Sequence, residues 1–99
     1  MSATVLVSFQ TKPDQVEALT AFLSAVQEPV IASGGLSISL TQDQDDATRF
    51  FEIEVWPTAD DHKAFVAGAA AAGAFDPLEA ILAAPFTVNY LDTVKHSAA

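Results

Sequence analysis

The stretch Thr48–Trp56 (TRFFEIEVW) constrains the fold more than any other part of the chain. It is rich in β-branched and aromatic residues, which suit a pleated, half-buried surface, and it reads as a strand. Side chains alternate across a strand, so Phe51, Ile53 and Val55 share one face. Phe50 and Trp56 occupy the other, flanking Glu52 and Glu54. A sheet covered by helices on one side should leave its second side polar, and this strand carries large apolar groups on both. Leu36–Thr41 is a second strand, with Leu36, Ile38 and Leu40 alternating against Ser37, Ser39 and Thr41. The acidic turn Gln42–Ala47 (QDQDDA) joins the two strands into a hairpin.

The flanking segments repeat a simpler pattern. Thr4–Gln10 reads as a strand, with Val5, Val7 and Phe9 on one face and Leu6, Ser8 and Gln10 on the other. Pro13 and Asp14 suit the first turn of a helix. Val16, Leu19, Phe22, Leu23, Val26 and Val30 then recur at three- and four-residue spacing, which predicts an amphipathic helix. Pro29 predicts an end or kink near Gln27–Glu28. Ser33-Gly34-Gly35 is a break. After the hairpin, Pro57 stops the strand and Thr58 caps a helix over Ala59–Gly73, anchored by Phe65 and Val66. Asp76-Pro77-Leu78-Glu79 starts a short helix through Leu82, and Phe86–Val94 is the last strand. Lys95–Ala99 reads as a frayed tail.

The order βαββαβ predicts an α+β, ferredoxin-like domain, with a four-stranded antiparallel sheet and its helices on one face. At 99 residues the chain is one domain over 1–99. Apolar residues make up 51% of it, and charged residues 17%. A domain this small buries only about two-thirds of the surface its unfolded chain exposes. Part of the apolar surplus is alanine, at 19 positions, many of them in the second helix. The larger residues fall on both faces of the sheet, which predicts a homodimer formed sheet to sheet.

Charge excludes other partners. Four Lys+Arg against 13 Asp+Glu give a net charge of −9. Nucleic-acid binding needs clustered bases to displace counterions, and an anionic membrane surface makes the same demand, so neither is expected. There is no cysteine for a thiol nucleophile or a thiolate-bound metal. Met1–Phe9 lacks the cationic start of a signal peptide, and the default location is the cytoplasm.

Few residues can carry chemistry. His62 stands beside Asp60 and Asp61 and could serve as a base, although sequence neighbours do not face each other on a helix and an exposed position is expected. Glu52 and Glu54 share a strand face as a carboxylate pair, but a solvated edge or an interface ion pair with Arg49 or Lys95 is the expected role. Asp43, Asp45 and Asp46 lack the spacing of a calcium loop and read as a solvated turn. The two histidines, His62 and His96, are too far apart for a metal site, and no metal is expected. Trp56 fits either the pocket or the dimer interface. Asn89 and Tyr90 point to opposite faces, so at most one enters a pocket. Arg49 is the base best placed to meet an anionic phenolate, although an interface ion pair is its expected role. The small residues of Ala67–Ala74 let the helix approach the sheet closely, or leave room for a flat ligand. Phe9, Phe22, Phe65 and Phe75 would line an apolar pocket suited to an aromatic substrate.

Glu54-Val55-Trp56, followed by Pro57, the cap Thr58 and an amphipathic helix, resembles the antibiotic biosynthesis monooxygenase-like family of dimeric α/β barrels. The opening strand leading into Thr11-Lys12-Pro13, the Gly35-Leu36 step, the acidic hairpin, Arg49-Phe50 and the closing Val88-x-Tyr90 agree with it in order, from about Thr4 to Val94. The resemblance implies a ferredoxin-like protomer whose sheet packs on a partner's sheet, with a pocket between sheet and helices in each protomer. It also implies one of several activities: cofactor-free oxidation of phenolic rings to quinones, heme degradation or isomerisation of small metabolites. The heme-degrading members resemble one another in an Asn on the first strand and a Trp and a His on the second helix. Here those places hold Leu6 or Ser8, Phe65 and the Ala72–Phe75 stretch, so heme is not expected. The resulting expectation is a monooxygenase without a cofactor, acting on a small phenolic or quinol-like substrate. Trp56, Asn89, Tyr90, His62 and Arg49 are its candidate catalytic groups. A non-catalytic ligand-binding module, or less readily a metabolite isomerase, is the alternative.

Overall fold

The structure, a computed structural model, describes residues 2–99. Its elements follow the expected order: β1 (Ala3–Gln10), α1 (Val16–Ala32), β2 (Ser37–Gln42), β3 (Arg49–Trp56), α2 (Ala59–Ala71), α3 (Leu78–Ile81) and β4 (Thr87–Leu91). The four strands form one antiparallel sheet in the order β2-β3-β1-β4. This is the α+β, ferredoxin-like arrangement: the two long strands β1 and β3 pair at the centre, and each βα unit returns over the same face.

The register decides which face is which. Val5 pairs with Glu54 and Tyr90, and Val7 with Glu52 and Val88. Ile38 and Leu40 oppose the same two glutamates from β2. Val5, Val7, Phe9, Phe50 and Trp56 are buried against Leu19, Leu23 and Val30 of α1 and Leu78 of α3, so this is the inner face. Leu6, Ser8, Arg49, Phe51, Ile53, Val55, Asn89 and Leu91 therefore belong to the outer face, where Ile53 and Leu91 remain exposed.

α1 differs from expectation at its end. It runs through Pro29 to Ala32 instead of stopping near Gln27–Glu28. Proline removes one backbone donor but does not forbid the following turn, and the fully buried Val30 holds that turn on the sheet. Gly35 then donates its N–H to the Val30 carbonyl at 2.9 Å. Gly34 before it has a φ of 111°, a conformation that suits glycine. A Cβ on Gly35 would lie 2.6 Å from Val30 Cγ1 and 2.9 Å from Val30 O. Gly35→Ala is therefore expected to destabilise by about 1–3 kcal/mol, because the backbone itself must move. Gly68 of α2 faces open space, so Gly68→Ala should stabilise by about 0.5–1 kcal/mol through helix propensity alone. Urea midpoints of the two variants should move in opposite directions.

Capping fixes the start of α2. Thr58 Oγ1 accepts the N–H of Asp61 at 3.1 Å. In the hairpin turn, Asp43 accepts the N–H groups of Asp45 and Asp46, and Asp46 accepts both the N–H and the hydroxyl of Thr48. These bonds hold the Asp46 carboxyl below its ordinary pKa. The acidic run is thus built into the turn it makes. β4 ends at Leu91, earlier than expected, and no described helix is long and apolar enough to cross a membrane.

Candidate functional site

The inner face of β3 carries two carboxyl groups into the layer between sheet and helices. Glu52 and Glu54 are each 3% exposed. This corrects the expectation of a solvated edge or an interface ion pair with Arg49 or Lys95. Strand alternation ties the glutamates to Phe50 and Trp56, and those large rings are interior. His62 is corrected in the same way: it is 2% exposed rather than on the helix surface. Its distance from Phe65 and Val66, three and four residues along α2, places it on the same inward face as those anchors.

Four polar side chains then meet in sequence. Trp56 Nε1 donates to Glu54 Oε1 at 2.9 Å. The same Glu54 oxygen lies 3.8 Å from His62 Nε2. His62 Nδ1 lies 2.9 Å from the Tyr90 hydroxyl. The His62 ring packs edge-on against Trp56 and Tyr90, with centroid separations of 5.6 and 5.5 Å. Tyr90 is 38% exposed, and Lys63 Nζ sits 5.1 Å from its ring centre, so the chain of polar groups runs from the interior to the surface. Glu52 stands apart from this chain. Its Oε2 is buried and has no hydrogen-bond partner in the protein.

Burial sets the protonation states. Desolvation, helped by the neighbouring Glu54, pushes the Glu52 carboxyl up to about 8. Desolvation also raises Glu54, while the Trp56 hydrogen bond opposes it. Desolvation lowers His62, which is therefore neutral near pH 7. Tyr90 is raised by burial and then by the charges of Glu54 and Asp60.

Glu52, Glu54 and His62 line a cavity that is otherwise apolar. Phe9, Phe22, Phe65 and Phe75, the residues expected to form a pocket, all lie on its wall. The cavity holds only about 30 Å³. That is room for about two water molecules, whereas a benzene-binding cavity is on the order of 150 Å³. A shallow groove of about 200 Å³ lies just outside, between α1 and α2. Phe22, Val26, Phe65 and Phe75 face both spaces and so form the partition between them. Swinging these side chains aside would join the two.

The remaining candidates lie elsewhere. Asn89 pairs with Leu6 on the outer face, and Arg49 is exposed there with its guanidinium 5.5 Å from the Phe51 ring centre. Neither reaches the cavity, so the expectation of catalytic roles for them in this pocket is corrected. None of the chain's lysines and arginines lines it. Among the described residues no cluster of three or more His, Cys, Asp or Glu could hold a metal ion.

Comparison with known proteins agrees with this architecture. The chain superimposes on Rv0793 of Mycobacterium tuberculosis with a TM-score of 0.83 at 20% identity, covering 99% of this chain and 100% of that one. PA3566 of Pseudomonas aeruginosa matches with a TM-score of 0.76 at 24% identity, over 95% of each chain. A solved antibiotic biosynthesis monooxygenase matches at 0.81 and 21% identity, covering 94% of this chain and 99% of that one. At these identities the likeness is one of fold. No curated protein matches the sequence. The sequence model of one family, antibiotic biosynthesis monooxygenase, matches residues 2–76, which carry β1 to β3, α2 and the cavity's Glu52, Glu54 and His62. On that match, and with the fold to support it, this chain belongs to the antibiotic biosynthesis monooxygenase family.

Proposed function

We propose that the chain is a cofactor-independent monooxygenase for a small phenolic or quinol-like substrate held between the sheet and the helices. The observation that carries this reading is the Trp56–Glu54–His62–Tyr90 chain, buried except at Tyr90 and set against an aromatic cavity. Such a substrate supplies the electrons itself. Where a methylene group is flanked by phenolic rings, one molecule of dioxygen converts it to a carbonyl and releases one water. One oxygen atom enters the new carbonyl, and the other leaves reduced, as water, with the two methylene hydrogens. The protein has to exclude water, hold the ring and take its proton.

His62 is the group suited to that proton. Where its Nδ1–H donates to the Tyr90 oxygen, Nε2 presents a lone pair on the side of Glu54. A proton taken there makes an imidazolium beside the Glu54 carboxylate, which Trp56 holds in place. The exposed Tyr90 gives the second ring nitrogen a route to solvent. Oxygen uptake with a panel of anthrones and hydroquinones tests the reading. Turnover is expected in the wild type, with a loss of at least about a hundredfold in His62→Gln and none in His96→Gln. No uptake by folded protein across the panel contradicts it.

The narrow cavity favours a second reading, a ligand-binding module of the same fold. Tight binding of an aromatic ligand without oxygen uptake would select it.

The outer face supports a homodimer. Leu6, Phe51, Ile53, Val55 and Leu91 lie together there, with Ile53 42% and Leu91 44% exposed in the single chain. Sedimentation at micromolar concentration should give a dimer, and Ile53→Asp should shift it to monomer. A wild-type monomer would remove the claim.

A further inference from the structure

Among the described residues, Glu52 is the one buried carboxyl that the proposed proton chain does not use. It lines the cavity, it is 3% exposed, and its Oε2 finds no partner in the protein. A carboxyl oxygen left bare inside a protein carries its full desolvation penalty, so its presence here points to a ligand that completes it.

The surroundings say what kind of ligand. β1 presents Val7 and Phe9 to this space, β4 presents Phe86 and Val88, and α1 presents Phe22 and Val26. The titratable groups facing it are Glu54 from the same strand and His62 from α2. No lysine or arginine joins them. An anion entering here would meet two carboxyl groups, a neutral imidazole and aromatic walls, with nothing to balance its charge. A cation would need an ionised partner; Glu52, pushed up to about 8, resists supplying one near neutral pH, and Glu54 Oε1 is already engaged by the Trp56 N–H beside His62. An uncharged ring bearing a hydroxyl meets neither obstacle, because a protonated carboxyl can both donate to it and accept from it.

We propose that Glu52 is the ligand-anchoring residue of the cavity, hydrogen-bonding the hydroxyl of an uncharged aromatic ligand that enters from the adjoining groove as Phe22, Val26, Phe65 and Phe75 swing aside, and excluding anions of the same shape. This deepens the oxygenase reading by assigning the charge class of its substrate, and it requires the ligand to arrive as the neutral phenol before His62 takes its proton. The notion of an arginine receiving a preformed phenolate is replaced, since Arg49 lies on the other face of the sheet.

Three single-ring probes separate the alternatives: phenol, benzoate and benzylammonium. Trp56 is the only tryptophan, and its ring packs on His62 and on Phe65, so its fluorescence reports on the cavity wall. Calorimetry at neutral pH measures affinity independently. The expected result is that phenol binds wild type at least tenfold more tightly than either charged probe. Glu52→Gln, which keeps a donor and an acceptor, should hold phenol within about threefold. Glu52→Leu should lose about tenfold while remaining folded, as judged by circular dichroism. Equal binding of benzoate and phenol overturns the proposal. So does tighter binding of benzylammonium, unchanged phenol affinity in Glu52→Leu, or no binding of any probe. Glu52-dependent phenol binding without oxygen uptake would remove the oxygenase reading and leave this inference standing. Oxygen uptake that persists in Glu52→Leu with unchanged KM would do the reverse.

Discussion

Replacing Glu52 with leucine should make the protein more stable, by about 1–3 kcal/mol, while weakening its hold on ligand. The direction is the informative part. A buried side chain that serves the fold costs stability when it is changed, whereas Glu52 brings a carboxyl into an apolar layer with one oxygen unpaired. Leucine has a similar volume and would sit on the sheet between Val7 of β1 and Leu40 of β2, the two residues that pair with position 52. It removes the desolvated acid, and the repulsion from Glu54 that helps to raise it. Urea unfolding at neutral pH measures the change, and an unaltered slope would show that the transition itself is the same. A loss of stability in Glu52→Leu would mean that Glu52 is a structural residue.

The second large effect is on pH dependence. Glu52 titrates near 4.5 when unperturbed and at about 8 in the fold. Between those values the native state keeps a proton that the unfolded state has released. Stability from this group is therefore complete at low pH and lost as pH rises toward 8, by up to about 1.4 kcal/mol per pH unit. Glu54, also raised, adds with the same sign. His62 acts oppositely: its pKa is lowered from 6.5, so its contribution is lost as pH falls below that value. The window from pH 6.5 to about 8 thus isolates the carboxyls. The wild-type urea midpoint should fall across it, and Glu52→Gln should flatten the slope to what Glu54 contributes. A wild-type midpoint that is level or rises in this window contradicts the buried, protonated acid.

The fold was legible because its period changes at the right places. Alternation in Leu36–Thr41 and Thr48–Trp56, three- and four-residue spacing in Val16–Val30, and Thr58 as a cap were enough to order the elements. Pro29 misled because a proline weakens a helix locally, while the burial of Val30 is a tertiary effect that no local rule contains. The site was legible only in part. Alternation grouped Glu52 and Glu54 with Phe50 and Trp56, but both faces of β3 bear aromatic rings, so the sequence did not say which face is covered. The register with Val5 and Val7 decides it. His62 carried a signal that was available, its three-residue spacing from Phe65, but the adjacent Asp60 and Asp61 made the segment look like a solvated first turn. The four phenylalanines were found because an aromatic residue on an inward-facing position has few other places to go. Asn89 and Tyr90 were rightly separated by alternation, and only pairing with β1 shows that Tyr90 is the inward one.

Carboxyl-resolved NMR titration reads whether Glu52 is the uncharged, ligand-anchoring carboxyl proposed above. The chain has five glutamates, and comparison with Glu52→Gln assigns the signal. Glu52 should titrate near pH 8, far above the 4.5 of an ordinary glutamate, and its resonance should move when phenol is added. A midpoint near 4.5, with no response to phenol, would contradict the account.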